Sequence, residues 1–169
     1  MTIDYSKRAL FSRKIFTPEQ SLPTPLRPPG VASEDRFIKD CTRCDQCIKA
    51  CAEQILFKGS GGYPEISFET GECTFCFDCI ATCEPGALTM EQLPWAYVAT
   101  TNSQCLPVNG VACQSCQDSC DQNAIEFNYT KTIPTPDIIN ERCNACGACV
   151  SVCPTKAISI QLPAKRDTN

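Results

Sequence analysis

All sixteen cysteines of this 169-residue chain fall into four short clusters, and three clusters share the spacing C-x2-C-x2-C-x3-C. These three are Cys41, Cys44, Cys47, Cys51; Cys73, Cys76, Cys79, Cys83; and Cys143, Cys146, Cys149, Cys153. The remaining cluster is irregular: Cys105, then seven residues, then Cys113, Cys116 and Cys120. A triple C-x2-C run closed by x3-C is the spacing of cubane iron–sulfur ligation, and sixteen thiols divide without remainder into the ligands of four 4Fe–4S clusters. Structural zinc ordinarily takes two separated C-x2-C pairs or mixed Cys/His sets, which this pattern fits poorly. The chemistry implied is the movement or custody of electrons.

Composition narrows the alternatives. Histidine is absent, which removes Rieske ligation, haem attachment through C-x-x-C-H, Cys2His2 zinc sites and the commonest general base together. No glycine-rich phosphate loop or nucleophile elbow appears, so an active site of the chain's own is not expected. The first sixteen residues carry Lys7, Arg8, Arg13 and Lys14 but no apolar run of signal-peptide length, and no stretch approaches a membrane span. A cytoplasmic, reducing setting is expected, in which thiols are free to bind metal instead of forming disulfides. The formal charge of −4 treats cysteines as neutral. Thiolate-bound cubane cores would take the loaded protein to about −12. Such a surface suits either simple solubility or steering toward a basic redox partner, and it disfavours nucleic acid.

Internal repetition sets the organisation. Each cysteine cluster is followed by a short β-type phrase: Ile55-Leu56-Phe57, Ala87-Leu88-Thr89-Met90, Ala124-Ile125-Glu126-Phe127 and Ala157-Ile158-Ser159-Ile160. The first phrase reads as half of a hairpin, with Gly59-Ser60-Gly61-Gly62 as its turn and residues 65–68 as the return strand. A second hairpin is expected from residues 124–129 and 137–140 around Pro134 and Pro136. Short helices are expected between the third and fourth cysteines, where amide N–H groups can approach sulfur. The expected fold class is α+β: two tandem 2[4Fe-4S] ferredoxin-like modules, each a pseudo-twofold β-α-β-β-α-β unit. Their bounds are read as 31–92 and 93–169, preceded by a basic N-terminal segment and proline-rich tether over 1–30. Residues 17–30 read as extended, and the segment 93–111 as the join between modules, with Trp95 and Tyr97 packing the two together.

In two-cluster ferredoxins the first three cysteines of a run hold one cluster and the fourth reaches across to the other. Transferred to this chain, that rule gives four quartets. Cys41, Cys44, Cys47 and Cys83 form the first; Cys73, Cys76, Cys79 and Cys51 the second. Cys105, Cys113, Cys116 and Cys153 form the third; Cys143, Cys146, Cys149 and Cys120 the fourth. The separations from Cys47 to Cys83 and from Cys116 to Cys153, 36 and 37 residues, suit a duplicated architecture. The weak point is the gap before Cys113. A loop over 106–112 can bulge and still return Cys105 to iron at little entropic cost; otherwise three cysteines are left, suited to a 3Fe–4S core or an iron open to solvent.

Several phrases together carry a resemblance. They are Asp4-Tyr5-Ser6-Lys7-Arg8, Arg27-Pro28-Pro29, Cys41-Thr42-Arg43-Cys44, Gly61-Gly62-Tyr63-Pro64, the Cys105-x7-Cys113 spacing with Cys116-Gln117-Asp118-Ser119-Cys120, and Cys143-Asn144-Ala145-Cys146-Gly147-Ala148-Cys149. On these the chain resembles the NapF-type ferredoxins, accessory proteins of periplasmic nitrate reductase systems. The resemblance implies a cytoplasmic protein that contacts the molybdenum-containing catalytic subunit before export, helping to install or reduce that subunit's own cluster. It also favours Cys105 as a ligand. Proline follows the fourth cysteine directly only at Cys153-Pro154, a departure from generic ferredoxins that leaves ligation intact. The alternative reading is an electron-wiring subunit of a membrane-bound oxidoreductase. Whether electrons or whole clusters are handed over stays open, as does the choice between partner-binding segment and solvated tail for residues 6–14.

Overall fold

The computed structural model describes residues 25–93, 95–130 and 132–162. The basic segment and most of the expected tether lie outside the described residues. The architecture is α+β, built from very short elements around the cysteines. In the first half α1 (Glu34–Asp40) precedes α2 (Gln46–Ala50), β1 (Leu56–Lys58), β2 (Pro64–Ile66) and α3 (Asp78–Ala81). The second half runs β3 (Val98–Thr101), α4 (Ser115–Asp118), β4 (Ile125–Asn128), β5 (Thr135–Ile138), α5 (Ala148–Ser151) and β6 (Ile158–Gln161).

The glycine-rich turn forms the first hairpin as its composition requires. β1 and β2 pair antiparallel, with Leu56 opposite Ile66 and Lys58 opposite Pro64. Between them Ser60–Gly62 makes a 3-10 turn in which Gly61 and Gly62 take positive φ (64° and 80°). The Glu65 carboxylate accepts from the Ser60 amide at 2.9 Å and pins the turn. β4 and β5 pair in the same sense, Ile125 opposite Ile138 and Asn128 opposite Thr135. Pro136 therefore lies inside β5, not in the turn before it, a shift of two residues from the expected strand. It is tolerated because this sheet has two strands and the nitrogen of Pro136 can face its open edge.

Three further expectations are corrected. The segment 93–111 is not only a join: it contains β3, which pairs antiparallel with β6, Val98 opposite Gln161 and Thr101 opposite Ile158. The phrase 87–90 forms no strand; a bend leads into a 3-10 turn at Met90–Gln92. Residues 27–30 are buried instead of extended into solvent. The Leu26 carbonyl accepts from the Ile66 amide at 2.8 Å, and the Gly30 carbonyl accepts from Thr89 at 3.0 Å. So 26–30 lies between β2 and 87–89, tied to each by one backbone bond. Pro28 and Pro29 have no N–H to donate, and a full ladder cannot form there.

Arg27 organises this region. Only 4% exposed, it donates to both Glu34 carboxylate oxygens on α1 and to the Pro64 carbonyl on β2. Its guanidinium stacks 5.1 Å from the Phe37 ring centroid and 5.7 Å from that of Tyr63. A buried cation is tolerated when its charge is paired and its flat face lies on aromatic rings. α1 itself starts at a Ser33 cap whose hydroxyl accepts from the Arg36 amide.

Among the described residues, the buried apolar side chains gather in three small clusters. Phe37, Ala87 and Leu88 form one; Ile55, Leu56, Ile66 and Phe68 a second; Ala99, Ile125, Phe127 and Ile158 belong to the third. Cysteines pack into all of them. The second cluster also takes in Val150 and Ile160 from the far half together with Trp95, so the halves share apolar contacts. Trp95 stands edge-on to Phe68, Phe75 and Tyr97, the packing role expected of it. No helix among the described residues is long and apolar enough to cross a membrane.

Candidate metal centres

Each regular cysteine run is shaped by the same backbone device. The residues on either side of its second cysteine take left-handed conformations: Arg43 and Asp45 (φ 59° and 62°), Phe75 and Phe77 (54° and 62°), Ala145 and Gly147 (61° and 87°). A third such position falls three residues after every fourth cysteine, at Gln54, Gly86, Asn123 and Lys156. Non-glycine residues there are strained by about 1–2 kcal/mol each. Alternating right- and left-handed residues turn successive amide N–H groups to one side, the concavity that receives anions and iron–sulfur clusters. Only Gly86, Gly147, Asp45 and Asn123 advertise this in their residue type.

Short helices follow. α2, α3 and α5 each begin within two residues of the second cysteine of their runs and carry the third on their first turn. The chain then crosses to the partner run. Cys41, Cys44, Cys47 and Cys83 line one cavity, walled by Phe37, Ala87 and Leu88. Cys51, Cys73, Cys76 and Cys79 line another, walled by Ile55, Leu56, Phe75 and Phe77. Cys105, Cys113, Cys116 and Cys153 line a further one, beside Phe127, Pro154 and Ile158. Cys120, Cys143 and Cys149 pack into one apolar cluster, and Cys146 lies near enough to Cys120 and Cys143 to feel their charge. These are the first, second, third and fourth sites below.

The irregular run is closed by a knot of hydrogen bonds. Pro107–Asn109 forms a 3-10 turn, and Gly110 behind it takes φ 83°. The Asn109 side-chain amide donates to the carbonyls of Ser103 (2.7 Å) and Cys105 (2.9 Å). The expected bulge thus forms and returns the chain so that Cys105, 8% exposed, faces the same cavity as Cys113.

Electrostatics follow the same grouping. Burial, reinforced by neighbouring thiols, pushes Cys79 and Cys149 up to about 12 and Cys47 and Cys116 up to about 11. Burial likewise drives Cys73 to about 11, although an amide hydrogen bond at Phe75 opposes it. Cys153 is held low: burial acts against this, but amide donors at Ala157 and Thr155 prevail, Ala157 at 3.2 Å from Sγ. Similar amide bonds reach Cys120 from Ala124 and Cys143 from Ala99, both at 3.4 Å. The Ala99 donor belongs to β3 and was invisible in the spacing.

Among the described residues no three cysteine or carboxylate side chains converge closely enough to hold a single metal ion. A cubane asks for something else. Each of its four irons takes one thiolate, so the sulfurs must stand apart around a void, with N–H groups aimed at them and apolar walls excluding water. The residues present fit that demand. When bound, such a cluster accepts or gives up one electron at a time; the chain's part is to supply thiolates, donate N–H bonds to sulfur and keep water away.

Comparison with known proteins points the same way. The family description "4Fe-4S dicluster domain" matches residues 111–157. The ferredoxin-type protein NapF of Escherichia coli K12 is 37% identical over 163 residues, covering 95% of this chain and 97% of the relative. NapF of Haemophilus influenzae is 36% identical over 137 residues, 80% of this chain and 78% of the relative. The ferredoxin-type protein NapG of E. coli is 30% identical over 152 residues, 76% of this chain and 65% of the relative. Sulfur-rich cavities and an iron–sulfur family description thus coincide on one chain.

Proposed function

The chain belongs to the NapF family of ferredoxin-type proteins, and on that premise we propose that it carries four 4Fe–4S clusters as two tandem dicluster modules. Iron–sulfur electron transfer is its business; it performs no catalysis of its own. Each quartet supplies one cluster: Cys41, Cys44, Cys47, Cys83; Cys73, Cys76, Cys79, Cys51; Cys105, Cys113, Cys116, Cys153; Cys143, Cys146, Cys149, Cys120. The observation that carries this is the gathering of three complete quartets, each around its own cavity. The modules occupy 31–92 and 93–169, and residues 27–30 pack with the first.

The family implies the partner: the molybdenum-containing catalytic subunit of a periplasmic nitrate reductase, met in the cytoplasm before export. The protein reduces that subunit or helps to install its cluster. Supporting this, the chain has no membrane-spanning helix among its described residues, and its acidic balance suits a basic docking patch. Two measurements test the reading. Anaerobic iron and sulfide analysis is expected to give about sixteen of each per chain; a colourless folded product would end it. Pull-down against the cytoplasmic precursor of the catalytic subunit should recover a complex; recovery only with an assembled membrane complex would overturn the accessory role. Deleting residues 1–24, which spares the buried 27–30 segment, asks whether the basic start is needed for that recovery.

A further inference from the structure

We infer that the four cysteine sites form a single unbranched row, in the spatial order first, second, fourth, third, joined across the two halves at the second and fourth sites. The inference rests on the quartets proposed above and adds the path between them. Within the first half, Cys47 and Cys79 pack into the same two apolar clusters, which sets the first site against the second. Cys116 and Cys149 share one cluster in the second half, which sets the third site against the fourth.

The junction is more specific. The Cys73 amide donates to the Cys146 carbonyl at 2.7 Å, a direct bond between a second-site and a fourth-site residue. Beside it Phe68 lies against Gly147 so closely that a Cβ there would stand 2.1 Å from the ring. Val150 and Ile160 complete the apolar contact, and the exposed Lys156–Glu69 ion pair closes its rim at 2.9 Å. Glu72 is close enough to add to the upward push on Cys146, after burial.

The consequence is a through-molecule path. A one-electron reductant docks at one terminal site and a one-electron acceptor at the other. With clusters bound, the second and fourth sites would be the pair across which one electron passes between the halves, lost at one as it is gained at the other, with no bond made or broken. The terminal sites are not equivalent: at the first, Cys44 is exposed and opens on a groove with Thr42, Gln46, Thr82 and Glu84. At the third, Cys105 and Cys116 are buried.

Electron paramagnetic resonance of the dithionite-reduced holoprotein tests the row. Removing the first site with Cys44→Ala should leave no magnetically isolated cluster, because the second remains beside the fourth. A sharp, uncoupled signal from the second site would overturn the junction, since two separate pairs would then leave it alone. Cys113→Ala makes the mirror-image test on the fourth site. Iron content separates failure of the quartets from failure of the row: loss of a cluster other than the targeted one contradicts the ligation, whereas the expected three clusters with one isolated signal contradict only the order. Should either variant fail to fold, carbodiimide coupling of the wild-type holoprotein replaces it. A zero-length Glu69–Lys156 cross-link found by mass spectrometry supports the junction, and its absence overturns it.

Discussion

Bulky aromatic residues avoid the left-handed region, yet Phe75 and Phe77 both occupy it, on either side of Cys76. Their surroundings hold them there: the two rings pack on each other and Phe75 lies edge-on to Trp95. Strain of this sort persists where it shapes a functional pocket. Which cysteines gather was readable from spacing, because their separation fixes the loop. Backbone conformation was mostly not, since arginine, glutamine, alanine, lysine and phenylalanine give no hint of positive φ. Two predictions belong at this scale. Gly86 and Gly147 both have positive φ, but a Cβ at Gly86 meets nothing within 4 Å whereas at Gly147 it strikes Phe68. Gly86→Ala should therefore cost about 1–2 kcal/mol of backbone strain, and Gly147→Ala that plus about 1–3 kcal/mol for overpacking. The midpoint of urea-induced bleaching of the brown protein reads the difference; equal midpoints would contradict the close contact. Cys51→Ser should disturb the site of Cys73, Cys76 and Cys79 and spare that of Cys41, Cys44 and Cys47, because Cys51 lines the second cavity. Mössbauer spectra showing one altered cluster, with the first site normal by EPR, would bear this out.

Elements with local partners were the legible ones. β1 and β2 are joined by three glycines within four residues, and β4 and β5 lie seven residues apart, so turn chemistry announces each pair. β3 gives no such sign: its partner β6 begins more than fifty residues on, and Val98-Ala99-Thr100-Thr101 has no turn beside it. The reverse error at 87–90 has the same root. A strand needs a donor-bearing neighbour, and Pro28-Pro29 withholds it, leaving the single Thr89–Gly30 bond. What proline forfeits, Arg27 supplies, by tying the buried segment to α1 through Glu34 and to β2 through the Pro64 carbonyl. Arg27→Ala strips both anchors at once. Discounted for the partial exposure of Glu34, the loss should be about 2–3 kcal/mol. Arg27→Lys should recover little, since a point-like ammonium cannot span carboxylate and carbonyl as the planar fork does. Hydrogen exchange is the measure: amides of Phe37, Cys41 and Ile66 should lose protection in both variants, and full retention would show that Arg27 is not the tie.

At the scale of the whole molecule, what stands out is how little ordinary structure there is to hold it together. Among the described residues the sheets have two strands each, the helices that carry cysteines have four or five residues, and the largest of the three apolar clusters is anchored by six buried residues. Helices so short are unstable alone, two-stranded sheets are marginal, and halves of about sixty residues need a staple. Cysteine side chains pack in every apolar cluster, so the thiols proposed to bind metal are part of the cores. Burial also holds several thiols protonated in the metal-free chain, Cys79 and Cys149 most of all. Without iron, therefore, those sulfurs are neutral, the cavities between them have only apolar walls, and eight strained non-glycine residues have no cluster to turn their amides toward. Strain of about 1–2 kcal/mol at each then competes with a fold whose total stability is of the order of 5–15 kcal/mol. Cluster assembly and folding should be one process. The expected result is that chelator-treated protein, kept reduced and anaerobic, loses near-ultraviolet dichroism and amide dispersion in both halves, and that refolding follows the return of iron and sulfide. A cooperative thermal melt of the metal-free chain would instead show that the apolar clusters suffice, and that the cysteine cavities are preformed receptacles in a fold that stands without them.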